Sequence, residues 1–147
     1  MLFVWILLAS AAGACISIQA AANSSLRAHL HDARWATFFS ICGTMLSALL
    51  VMLIIRPNFP SVGLLRGTPW WNWIGGPLGA VIVLSGAALT PKLGAAAFIA
   101  AVVAGQLACS TILDHFALMS LPSHPFTLTR LLGIGFVFTG VLLISRH

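Results

Sequence analysis

Five apolar stretches, each close to the length that crosses a bilayer, leave this chain little choice of fold. They run over residues 2–22, 35–55, 71–89, 93–113 and 128–145. A hydrocarbon core about 30 Å thick needs roughly 20 helical residues at about 1.5 Å rise each. The runs are continuous and do not alternate, which excludes the strands of a membrane β-barrel. Composition agrees: 60% of the 147 residues are hydrophobic and 6% charged, where soluble domains carry about 25% charged residues. Mean hydropathy is +1.06. The expected fold class is an all-α integral membrane protein, one transmembrane domain over residues 1–147 with five transmembrane helices, and its first partner is the lipid bilayer.

The formal net charge of +5 would suggest nucleic acid in a soluble protein. Here the basic residues Arg27, Arg34, Arg56, Arg66, Lys92, Arg130 and Arg146 stand singly at the ends of apolar runs. That is where Lys and Arg snorkel to headgroups, so a nucleic-acid partner is rejected. Cys15, Cys42 and Cys109 each lie inside an apolar stretch with no Cys or His clustering, so neither a metal site nor a disulfide framework is indicated. The opening "MLFVWILLASAAGAC" has no basic residue before its apolar core, and the run continues through Ala22. It reads as a retained first span, not a cleaved leader.

Between the spans, "NSSLRAHLHDAR" (23–34), "RPNFPSVGLLRGTP" (56–69), "TPK" (90–92) and "SLPSHPF" (120–126) read as connections. Five crossings put the termini on opposite faces. One face then receives Arg27, Arg34, Lys92 and Arg146, and the other Arg56, Arg66 and Arg130. So even a division gives almost no orientation bias. Two readings stay open: flanking charges that only anchor a single orientation, or insertion in both.

Close packing and interhelical hydrogen bonds, not the hydrophobic effect, hold helices together in lipid. The fourth span carries Ala96, Ala100, Ala104 and Ala108 in one row and Ala97, Ala101, Gly105 and Cys109 in the next, a smooth face for close approach. The third opens with Trp70, Trp71 and Trp73, which read as an interfacial belt or as an aromatic wall for a substrate. Gly75, Gly76, Pro77 and Gly79 follow as hinge candidates, since Pro77 lacks a donor and the glycines permit contact.

"PWWNWIGGPLGAVIVLS" (69–85), "PKLGAAAFIAAVVAGQLACSTILDHFAL" (91–118), "IQAAANSSLR" (18–27) and the ending "RLLGIGFVFTGVLLI" resemble the YdcZ-like family of the drug/metabolite transporter superfamily. The resemblance runs from about Gly13 to Leu143 and implies a bacterial inner-membrane exporter: a five-helix unit, half of a ten-helix fold, completed as a homodimer of inverted copies or by a paired homologous subunit. It assigns no ligand residues. Ala117 stands where a glycine is expected after "DHF".

The polar residues inside the spans are few. Gln106, Ser110 and Asp114 lie four apart on one helix face, as do Gln19 and Asn23. If the first helix stops near Ala22, Gln19 lies about 7 Å and Gln106 about 21 Å from the same face, so an inverted copy would bring the amides level. Packing glue within one protomer is the competing reading. Asp114 opposes the helix dipole at a C-terminus and wants a partner, for which Arg130 is placed. A structural bridge, proton coupling and substrate contact remain open for it. Small multidrug antiporters, related in the resembled superfamily, use a first-helix carboxylate where this chain has Gln19, so a neutral or amphiphilic small-molecule substrate fits better than a proton-exchanged cation. The candidate pathway residues are therefore Gln19, Asn23, Trp71, Gln106, Ser110 and Asp114, in a subunit that works by alternating access. No enzyme, cofactor or metal is expected. The alternative is a nontransporting scaffold or accessory subunit.

Overall fold

The structure, a computed structural model, describes residues 1–146. Six α-helices follow one another: α1 (Leu2–Leu30), α2 (Ala33–Ile55), α3 (Val62–Arg66), α4 (Gly75–Leu93), α5 (Ala95–His115) and α6 (Leu128–Ile144), with 3-10 turns at Trp70–Trp73 and Leu118–Ser120 and no strand among the described residues. α1, α2, α5 and the stretch Trp70–Leu93 are long and apolar enough to span a membrane. α6, at 17 residues, is shorter, a mismatch that bilayer thinning and flanking polar residues absorb. Four of the five expected spans are helices of spanning length, and the fifth, α6, is a shorter apolar helix. The chain is an all-α, multi-pass membrane protein.

Two helix boundaries differ from expectation. α1 does not stop at Ala22 but runs to Leu30, because nothing in "NSSLRAHL" breaks a helix. The break comes at His31, whose φ is 56°. The end of α1 therefore does not fix the depth of Gln19 relative to Gln106, on which bringing the amides level by inversion depends. "TPK" is not the hairpin either. Pro91 stands in the last turn of α4, and the chain turns at Gly94, with φ 81° and ψ 154°, a conformation that glycine alone adopts readily.

Pro77 lies in the first turn of α4, where the 3-10 turn hands over to α-helix, and proline is tolerated in such a position without breaking a helix. Ser61 caps α3, its Oγ accepting from the Leu64 N–H at 3.4 Å. Thr127 caps α6 the same way, accepting from Arg130 N–H at 3.3 Å.

The chain forms two compact units, one of residues 1–17 with the described residues from 89 on, the other of residues 18–88. In the first unit, α5 and α6 pack against each other, and Ala97, Phe98, Ala104 and Thr111 of α5 are buried. In the second, the buried positions include Ala20 and Asn23 of α1, Ala36 and Thr37 of α2 and Ala87 of α4. Small side chains at buried positions let backbones approach, as expected where dispersion drives packing. The large apolar residues face outward: Leu53, Ile54 and Phe136 are 68–80% exposed, which only lipid or another bundle makes favourable.

Candidate functional site

The candidate residues fall into three places. The first is a cleft of about 340 Å³ within residues 18–88, lined by Gln19 of α1, Ile41, Thr44, Met45 and Ala48 of α2, and Gly75, Gly76, Gly79, Ala80 and Val83 of α4. The glycines form a wall without side chains: a Cβ added at any of the three meets nothing within 4 Å. A solute there touches backbone on one side and apolar side chains on the other. The polar groups are the Gln19 amide and Thr44, whose hydroxyl donates to the Ser40 carbonyl at 3.1 Å. On α1 the side-chain hydrogen bonds belong to Ser10, Ser17 and His29, each to its own helix. Gln19 and Asn23 take part in none among the described residues. Asn23, one turn on from Gln19, is 6% exposed, but the fully buried side-chain polar atom without a partner among the described residues is Thr90 Oγ1, not the Asn23 amide.

The second place is a shallow cleft along α5 itself, lined by Gln106 and Ser110 with Val103, Leu107, Cys109 and Leu113. Ser110 and Thr111 donate back to the Leu107 carbonyl, while Gln106 is exposed and unbonded among the described residues. Half of the smooth α5 face is also uncovered. Ala97 and Ala104 are buried, but Ala101, Gly105 and Cys109 are exposed.

The third is a cavity of about 430 Å³ between α5 and α6, lined by Leu107, Ser110, Thr111, Asp114, Arg130, Gly133 and Ile134. The expected ion pair forms here: Arg130 Nη1 lies 3.4 Å from Asp114 Oδ2, with the two side chains 40% and 30% exposed. The Asp114 carbonyl accepts the His124 N–H at 2.9 Å, and His124 returns its own carbonyl to Arg130 Nη1 at 3.4 Å. His115 Nδ1 accepts the Phe126 N–H at 3.2 Å, and the two rings lie 4.3 Å apart. The α5–α6 connection is thus tied to the end of α5 from both sides. His115 is not among the candidates read from the sequence, and this role was missed. The prolines at 122 and 125 signal an extended segment, which leaves backbone donors free to be captured.

Asp32 makes the tighter pair. Its carboxylate accepts the Arg34 backbone N–H at 2.7 Å and two side-chain nitrogens of Arg34 at 2.7–3.1 Å. The Arg34 guanidinium first, then its backbone N–H, hold the Asp32 carboxyl below the usual carboxylate range.

Trp71 lies outside all three places. Trp70, Trp71 and Trp73 are 72%, 38% and 58% exposed on the 3-10 turn that precedes α4. Pro77 does not line the Gln19 cleft, although its three glycine neighbours do. No group of three or more His, Cys, Asp or Glu with metal-holding geometry occurs among the described residues.

Comparison with known proteins adds one match. No curated protein and no solved structure matches the chain. A family model described as "Putative inner membrane exporter, YdcZ" matches residues 4–143, which takes in every element from α1 to α6. The chain therefore belongs to the YdcZ family of inner-membrane exporters.

Proposed function

We propose that this protein is one half of a two-bundle exporter that moves a small neutral or amphiphilic solute by alternating access, with the Gln19 cleft as the surface that holds the solute. The observation that carries this reading is an amide without a protein partner, set in an apolar cleft walled by three glycines. Small-molecule sites are concave, mostly apolar and about 300–1,000 Å³, with a few polar groups to orient the ligand. The cleft meets that description at its lower end. Its glycine wall gives a ligand, or an approaching helix, room to move against the backbone. The amide is uncharged, which favours a neutral or amphiphilic solute over a cation exchanged for protons.

Asn23, one turn on from Gln19 on the same helix, supplies a further polar contact along the route. A second copy, or a paired homologous subunit, completes it, since an odd number of spans with an uncovered Ala101–Gly105–Cys109 stripe is suited to close helix contact. Trp71 then serves as an interfacial anchor. The unbonded amides count against the scaffold alternative, in which they would fasten helices within one protomer.

The test is uptake by everted membrane vesicles offered a mixture of neutral and amphiphilic solutes. Vesicles with the wild-type protein accumulate at least one solute faster than vesicles with Gly79→Leu, which fills the cleft, and Gln19→Leu slows the same solute. Indistinguishable uptake of every solute by the three preparations refutes transport through this cleft.

A further inference from the structure

The α5–α6 cavity offers two opposite charges at one end and an apolar wall at the other. We propose that it binds a zwitterionic amphiphile, with a phosphate-type anion on Arg130, a primary ammonium on Asp114 and an acyl chain against Leu107, Gly133 and Ile134. This site is separate from the Gln19 cleft and does not depend on the transport reading.

Three observations carry it. The ion pair is open: one contact at 3.4 Å, where a charge-assisted N–H···O bond closes to about 2.7–2.9 Å. Asp114 Oδ1 and the Nε and Nη2 of Arg130 have no partner among the described residues. Groups that face a 430 Å³ space with unused hydrogen-bonding capacity are free to accept a ligand without first losing a strong bond.

The charges also set the class of ligand. A bare anion at Arg130 meets the Asp114 carboxylate, and a bare cation at Asp114 meets the guanidinium. A molecule carrying both signs on a short bridge satisfies both. The remaining charged or titratable groups nearby are His115, whose ring accepts the Phe126 N–H, and His124, which meets Asp114 and Arg130 through its backbone N–H and carbonyl.

Depth sets the rest. Asp114 is the penultimate residue of α5 and Arg130 the third of α6, so the charges stand at the helix ends. Ser110 and Leu107 lie four and seven residues further in, about 6 and 10 Å at helical rise. Gly133 and Ile134 keep pace on α6. A headgroup with its chain running inward follows the same gradient.

Delipidated protein in a maltoside micelle tests the proposal by native mass spectrometry with three probes. Short-chain phosphatidylethanolamine carries both charges and chains. Phosphatidylglycerol of the same chains lacks the ammonium, and free phosphoethanolamine lacks the chains. The expected result is phosphatidylethanolamine binding about tenfold tighter than phosphatidylglycerol, the scale of one charged contact. Asp114→Asn brings that preference below about twofold, Arg130→Gln weakens both lipids, and Leu107→Trp weakens the lipids while sparing both charges. The wild-type comparison stands alone should a variant fail to fold. Equal affinity for the two lipids, an undiminished preference in Asp114→Asn, or free phosphoethanolamine binding as tightly as the lipid overturns the proposal. The last of these would assign the site to a free solute.

Discussion

The chain has two carboxylate side chains, and each sits at a helix–helix connection beside an arginine, yet the two pairs are built oppositely. Asp32 caps the N-terminus of α2, where the helix dipole favours a negative charge. Its partner Arg34 is two residues away and grips it through both side-chain and backbone nitrogens. Asp114 stands at the C-terminus of α5, where the dipole opposes it. Its partner is 16 residues on, across the α5–α6 connection, and makes a single long contact. A carboxylate at a helix N-terminus completes itself locally and turns the chain. One at a C-terminus depends on a second helix, and so ties folding, packing and ligand access together.

The comparison is broken most directly by removing the arginines. Arg130→Gln leaves Asp114 half-buried against an unfavourable dipole, so denaturant unfolding in micelles loses about 1–2 kcal/mol. Arg34→Gln removes a guanidinium that is 85% exposed and leaves Asp32 capping α2, so it costs less. An equal or larger loss from Arg34→Gln would reverse the ranking of the two pairs. A double-mutant cycle sharpens it: Asp114→Asn with Arg130→Gln gives a coupling of about 1 kcal/mol, against a smaller one for Asp32→Asn with Arg34→Gln.

The end of α5 yields a gain-of-stability prediction. Ala117 sits at φ 49° and ψ 38°, the left-handed region that costs a residue with a Cβ about 1 kcal/mol relative to glycine. Ala117→Gly raises stability by up to that amount, while a glycine at Ala33, inside the first turn of α2, lowers it. A loss on Ala117→Gly would show that Ala117 does not hold this conformation.

The smallest effect is acid sensitivity at Asp32. Its folded carboxyl is held below the ordinary range, so its contribution is complete at neutral pH and begins to fade only as pH falls below the unfolded value. It is lost once pH passes beneath the folded value. In a pH series of unfolding midpoints, Asp32→Asn therefore parallels wild type above about pH 5 and converges on it in strong acid. Divergence confined to neutral or alkaline pH would contradict this.

The five spans were legible because continuous apolar length has few other outcomes. The Asp114–Arg130 pair was legible too, since both residues mark helix ends on one side of a short connection. Helix ends were harder to read. "NSSLRAHL" carries no breaker, so its polarity suggested a loop where the backbone stays helical, and Pro91 drew attention from Gly94, whose φ does the turning. The grouping of Gln19 with Gly75, Gly76 and Gly79 was not legible at all. It depends on how α1, α2 and α4 meet, and small residues on three helices fix no register in sequence. Pro77, a hinge candidate in the sequence, sits in the first turn of α4, where a proline needs no bend.

The central claim is that two bundles together make one route, and subunit mixing tests it most directly. Vesicles are prepared with wild-type and Gly79→Leu protein in varied ratio at constant total amount, and the rate for the transported solute is followed. If each route needs two intact bundles and pairing is random, the rate falls as the square of the wild-type fraction. A rate that falls in direct proportion to that fraction would mean that each bundle works alone.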